Sequence, residues 1–289
     1  MDQSIKEKYK LPEEKHMQIY GQIEKEVFSR ASTQEKPIGI IVGGQPGSGK
    51  GAVISYTKKQ VENSGRDITI ITTDEYKPYH PQAIEIAQKY PTDYVEIVEQ
   101  DAGAWTGKVL RKAIDDKYNF IFEGTLKNDR ILERIKEMKQ NGFTVVVRAL
   151  AVPREETLLC IHERYENQMQ NMGWGRLISI QHHDQAYNGV PSTIDAIEKS
   201  GLCTVEIFIR GEEISKPHKV YSSAEKNEAY PTARIALEGY RNREKYKTLI
   251  TAKERIERLK KQFTVRGAAD SEMKQLQQLE EDIFQAVTK

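Results

Sequence analysis

The residues best placed to do chemistry lie in Gly44-Gln45-Pro46-Gly47-Ser48-Gly49-Lys50-Gly51. Here Gly44, Gly49 and Lys50 keep the GxxxxGK spacing. Glycines let a backbone curl until several amide hydrogens point inward, and a helix that follows adds its positive N-terminal end. A lysine at the end of such a loop supplies a mobile charge for the β- and γ-phosphates. The context fits, because apolar Ile40-Ile41-Val42 precedes the loop and helix-competent Ala52-Val53-Ile54-Ser55-Tyr56 follows it. All eight residues, Gly44 to Gly51, are therefore read as a nucleoside triphosphate site. Gly51 stands where a Ser or Thr hydroxyl usually ligates magnesium. Mg2+ must then be held through water or by an acid elsewhere, with Ser48 and Ser55 as further hydroxyls.

A second group of polar residues sits where short apolar runs end. Asp74 follows Ile71-Thr72-Thr73, and Glu123-Gly124-Thr125 closes Phe120-Ile121-Phe122, with Lys127 on the same loop. Asp74 has two readings, a carboxylate that takes the proton of an attacking hydroxyl or the N-cap of a helix. Glu123 ends a nearly wholly apolar run, where a carboxylate is expensive without a partner. It reads either as a ligand of magnesium-bound water or substrate, or as a residue that has reached solvent. Arg164, within His162-Glu163-Arg164-Tyr165-Glu166, and Arg176 invite a role over a triphosphate, since guanidinium groups spread the charge of a transferred phosphoryl. The plainer reading is a solvated arginine. Adjacent His182 and His183 point in different directions on a helix and have no third ligand at metal spacing.

The elements that must carry these residues alternate. Apolar, β-branched runs at Pro37–Gly44, Asp67–Thr73, Tyr118–Glu123, Thr144–Val152 and Thr204–Ile209 are separated by helical patterns. That order predicts an α/β fold with a doubly wound parallel sheet, whose ligands lie at the carboxyl ends of the strands. A charged helix is expected over residues 11–33. Residues 225–289 read as a helical C-terminal extension, broken near Arg266-Gly267, packed on the core or serving as a partner-binding arm. The chain divides on this reading into a helical segment 1–34, a P-loop domain 35–224 and the extension 225–289.

Composition narrows the setting. A net charge of +1 over 289 residues gives no global pull toward nucleic acid or an anionic membrane. No run approaches the ~20 apolar residues that span a bilayer. The charged start MDQSIKEKYKLPEEKH has no apolar stretch of a secretory signal. Cys160 and Cys203, in no CxxC pair, read as free thiols. The expectation is a cytoplasmic protein with neither nucleic-acid nor membrane partner.

Gly43-Gly44-Gln45-Pro46-Gly47-Ser48-Gly49-Lys50, Asp74-Glu75-Tyr76-Lys77 ahead of His80-Pro81, Glu123-Gly124-Thr125, Ala151-Val152-Pro153, Glu163-Arg164-Tyr165-Glu166, Arg176 and Val220-Tyr221-Ser222-Ser223 occur in one order. Together they resemble the zeta toxins, kinases of bacterial toxin–antitoxin pairs, over residues 35–225. The resemblance implies transfer of the γ-phosphate of ATP or GTP to the amino-sugar 3′-hydroxyl of UDP-N-acetylglucosamine or a related UDP-sugar, which starves cell-wall synthesis. It implies Lys50 on the phosphates, Asp74 as base, Arg164 and Arg176 on the transferred phosphoryl, and Glu123 and Thr125 along the sugar-nucleotide cleft. Lys127 stands where the family tends to have Arg, and lysine cannot reproduce a bidentate phosphate contact. A small helical antitoxin is implied as partner, with the chain's own N-terminal helix as an alternative blocker in cis. Another P-loop small-molecule kinase, or a nucleotide-gated binding module, is the competing reading.

Overall fold

A computed structural model describes residues 3–91, 93–211, 213 and 216–287. The extremities of the two outer segments, residues 1–2 and 288–289, lie outside the described residues. Six strands form one sheet, β1 (Ile38–Gly43), β2 (Thr69–Ile71), β3 (Phe120–Gly124), β4 (Thr144–Leu150), β5 (Thr204–Ile209) and β6 (His218–Ser222), in the order β2-β3-β1-β4-β5-β6. The first five are parallel, as the alternating pattern predicts, and β6 joins antiparallel to β5. The sixth strand was not foreseen, because His-Lys-Val-Tyr-Ser has neither an apolar run nor clean alternation. Register pairs Gly43 with both Gly124 and Ala149, so the carboxyl ends of the three central strands finish level.

Strands buried on both faces need cover on both. Ile40, Val42, Ile121 and Phe208 face one side, against Val53, Ile54 and Val61 of α3 (Lys50–Asn63). Ile41, Phe120, Val147 and Ile207 face the other. There they meet α2 (Glu13–Val27), α6 (Tyr94–Asp115), α7 (Ile131–Gln140) and α9 (Ile180–Lys199). α1 (Gln3–Tyr9), α5 (Ala83–Lys89) and the start of α6 form a small satellite cluster around Tyr9, Ile86 and Tyr94. The short α4 (Thr73–Tyr76) follows β2. The N-terminal helix expected over 11–33 is α2, which starts at Glu13 with Pro12 as its N-cap, and α1 is an additional helix that lies before the expected span. The ring of Pro12 disfavours helical geometry at Leu11, between the two. α2 also ends earlier, at Val27, and places Ile19 and Ile23 in the main core.

α8 (Arg154–Met172) leaves β4 and ends at Gly173, whose φ of 72° is the left-handed stop of a helix C-terminus. Leu158, Leu159, Ile161 and Tyr165 of α8 pack against Ile256, Leu259 and Phe263 of α10 (Ala233–Arg266). Leu276, Leu279 and Ile283 of α11 (Asp270–Val287) complete the cluster. The expected break is real, with Gly267 at φ 70° capping α10. The C-terminal helices thus cover a face of α8. Cys160 and Cys203 are both free thiols. Among the described residues no helix is long and apolar enough to cross a membrane.

Candidate active site

β1 delivers the chain into the turn that starts at Gly44, and α3 begins at Lys50. Two glycines make that turn sterically feasible. Gly47 has φ 78°, and a Cβ there would lie 2.3 Å from the carbonyl oxygen of Thr157, so the loop is packed directly on the backbone of α8. Gly49, φ 92°, is the left-handed N-cap of α3. Lys50 Nζ folds over the loop, 3.1 Å from the Gly44 carbonyl oxygen and 3.3 Å from that of Gln45. Gln45 and Ser48 are fully buried, and the Ser48 hydroxyl has no hydrogen-bond partner. The Gln45 side chain turns inward and donates to the Val152 carbonyl at 2.8 Å.

A cleft of about 830 Å³ opens above the loop. Gly47, Gly49, Lys50 and Gly51 line one wall, and Asp74, Glu123, Thr125, Lys127 and Arg164 also line it. Arg176 joins through Asp74, its Nη1 2.9 Å from Oδ2 of that carboxylate. Lys77 holds the other oxygen at 2.7 Å and also reaches Glu99 at 3.0 Å. Residues from β2–α4, β3, its following loop, α8 and the segment after α8 thus converge on one cavity. None of the described residues of α1 or α2 lines it.

Electrostatics separate the two acids. Withdrawal from water would push the Asp74 carboxyl up, but Lys77, Arg176 and Arg164 outweigh it and hold the group well below the usual carboxylate range. Asp74 is therefore ionised at neutral pH. It lies in the first turn of α4, while Thr72 occupies the N-cap, so the capping reading does not describe it. Glu123 accepts from the Thr72 hydroxyl at 3.0 Å and lies 3.6 Å from Lys50 Nζ. Its side chain is 23% exposed and turned to the lysine rather than to bulk solvent. Neighbouring Glu75 is pushed up by burial, then by Glu123 and Asp74. Burial and the nearby Arg176 push the Arg164 guanidinium down, and its Nε has no hydrogen-bond partner. An arginine so placed has spare donors for an anion.

The paired histidines part as a helix requires. His183 is buried, bonded at Nε2 to Thr157 and at Nδ1 to Asp184, which Arg154 grips with two 2.8 Å hydrogen bonds. His182 lines the cleft, where burial and Lys127 push its pKa down.

Two arginines escaped the sequence reading. Arg210, directly after β5, donates from Nε to the Ser48 carbonyl at 3.2 Å, from Nη2 to that of Gly47, and from Nη1 to Glu156 at 2.8 Å. Its position at the carboxyl end of a parallel strand was the available signal. Arg241 of α10 reaches the buried Gln45, and nothing local marks it.

A glycine-rich loop between β1 and α3, with lysine folded over it at the carboxyl edge of a parallel sheet, is the arrangement of the P-loop kinase-like fold. Residues 24–226 match the family model described as zeta toxin, and the chain belongs to that family. It is similar to toxin zeta of Enterococcus hirae, 27% identical over 193 residues, covering 66% of this chain and 65% of that protein. It is similar also to toxin PezT of Streptococcus pneumoniae, 28% identical over 172 residues, covering 59% of this chain and 67% of PezT. The match thus spans 65% of the length of the E. hirae relative. Among solved structures, that of the PezAT toxin–antitoxin system of S. pneumoniae superposes with a TM-score of 0.71 at 23% identity, covering 86% of this chain and 98% of that one. AvrRxo1-ORF1:AvrRxo1-ORF2 with ATP superposes at 0.52 and 13% identity, covering 78% of this chain and 70% of that one. Both share the fold.

Proposed function

We propose that the chain is a kinase that moves the γ-phosphate of ATP or GTP to the amino-sugar 3′-hydroxyl of UDP-N-acetylglucosamine or a related UDP-sugar. The observation that carries this reading is the meeting of Asp74 with Lys50 and Arg164 in a single cleft, with Arg176 paired to the same carboxylate. On this reading the acceptor oxygen attacks the γ-phosphorus, and its proton passes to Asp74. The bond from the γ-phosphorus to the bridging oxygen breaks, leaving the nucleoside diphosphate. Lys50 and the loop amides bind the phosphates, and Arg164 and Arg176 spread the charge of the phosphoryl in flight. The Arg176 contact that suppresses the basicity of Asp74 is the one a triphosphate would compete for. Binding of the donor would therefore leave the carboxylate a better base.

Magnesium fits as an ion carried in on the triphosphate. Thr72 and Glu123 present oxygen donors beside Lys50, and Mg2+ commonly takes one or two protein carboxylates and keeps its waters. When bound, the ion neutralises charge between the β- and γ-phosphates. Thr125 and Glu123 would meet the sugar, and Lys127 with Arg130 puts positive charge where the acceptor's diphosphate would lie. Membership of the zeta toxin family and the toxin–antitoxin setting of PezAT support a small antitoxin as partner. The N-terminal helices, which contribute nothing to the lining of the cleft, are poor candidates for a blocker in cis.

The test is incubation with Mg-ATP and UDP-N-acetylglucosamine, read by mass spectrometry. One added phosphoryl group is expected, and Asp74→Asn should slow its appearance by about 10²–10⁴-fold while ATP still binds. ATP binding without transfer to any UDP-sugar would reject the reading.

A further inference from the structure

Arg241 is 4% exposed, and among the described residues its guanidinium hydrogen-bonds to neutral groups rather than to a carboxylate, with Glu238 the nearby acid that acts on it through space. Nη2 donates to Gln45 Oε1 at 3.0 Å, Nη1 donates to the Tyr187 carbonyl at 3.1 Å, and the group lies 3.9 Å above the Tyr187 ring. Nε has no hydrogen-bond partner among the described residues. Gln45 is wholly buried, and its amide nitrogen is spent on Val152. The phosphate loop is thus tied by a single amide to the end of β4 on one side and to α10 on the other.

A buried cation held by neutral groups is costly unless it serves something beyond stability. Its position behind the loop supplies a purpose, since its charge faces a site that reads as one for a polyanion. We infer that Arg241 is a positioning residue of the nucleotide site, which makes α10 a required part of that site although it lies beyond the family match at residues 24–226. Arg241 sets the Gln45 amide, the amide sets the turn at Gly44–Pro46, and the positive charge deepens the potential at the phosphates. The inference rests on the reading of Gly44–Gly51 as a nucleotide loop.

Calorimetric titration of the full chain with Mg-ATP tests it, and binding by the wild type in the same experiment answers for the nucleotide reading separately. Arg241→Met should weaken ATP binding by about tenfold, the equivalent of one lost charge-assisted hydrogen bond. Arg266→Met, which removes ion pairs to Glu166 and Glu272 from the same helix, should leave affinity unchanged. Combining Arg241→Met with Gln45→Leu should cost less than the sum of the two single changes, because both remove the same contact. Wild-type affinity in folded Arg241→Met, or an equal loss in Arg266→Met, would overturn the inference. Should Arg241→Met not fold, Arg241→Lys decides. Weaker binding with partial recovery of the contact supports the role, and undiminished affinity rejects it.

Discussion

The two walls of the cleft are built by opposite means. The phosphate loop is one continuous peptide whose shape follows from its own left-handed glycines and the start of α3. The facing wall is a collection, with Asp74 from α4, Glu123 from β3, Lys127 from the loop beyond it and Arg164 from α8, while Arg176 from the segment after α8 pairs with Asp74. Local backbone geometry makes the first wall robust. The second wall is only as good as the packing that brings its parts together, and α8 rests on α10 and α11 for that. Damage far from the cleft should therefore reach turnover before it reaches nucleotide affinity, with the Arg241 tie as the exception.

The sharpest challenge to that contrast is Phe263→Ala. Phe263 is fully buried against Tyr165, one residue from Arg164. Emptying that position should cost about 3–5 kcal/mol of stability, measured by denaturant unfolding. In protein that remains folded, turnover should fall while ATP affinity holds. An equal loss of both would show that the walls are not independent.

Arg176→Met should lower turnover by about 10²–10³-fold, of the size seen when one donor to a developing charge is removed. It should also move the acid limb of the pH–rate profile to higher pH, because Arg176 helps hold the Asp74 carboxyl below its ordinary range. A lower rate with an unmoved acid limb would argue that Arg176 acts on the phosphoryl alone.

The smallest effect concerns the helix behind the facing wall. Burial lowers the pKa of His183 from 6.5 to about 4, so the folded state holds it neutral while the unfolded state takes up a proton. Stability from this group is present above pH 6.5 and is lost as pH falls toward 4, by about 2–3 kcal/mol at most. Thermal unfolding of wild type and His183→Gln across that window should converge as the pH drops. Parallel curves would show that His183 does not carry the loss.

The five parallel strands, the loop between β1 and α3 and the break at Gly267 were legible because each is a local pattern. Apolar runs, glycine spacing and helix stops act over a handful of residues. Asp74, Glu123 and Lys127 were legible as candidates because strands of a parallel sheet deliver their ends to one edge, and Arg164 as a guanidinium on the helix after β4. β6 and the short α1 were hidden by weak patterning.

What the sequence by itself determined is the glycine-rich turn between β1 and α3 and the edge of the sheet on which it stands. Tertiary structure alone decided the rest of the electrostatics. Lys77 and Arg176 depress Asp74, and Arg210 binds the carbonyls at the back of the loop. Arg241 reaches Gln45 across 196 positions of sequence. The glycine turns are a property of backbone torsions within the loop, whereas a charge acts through space on whatever the fold brings near it.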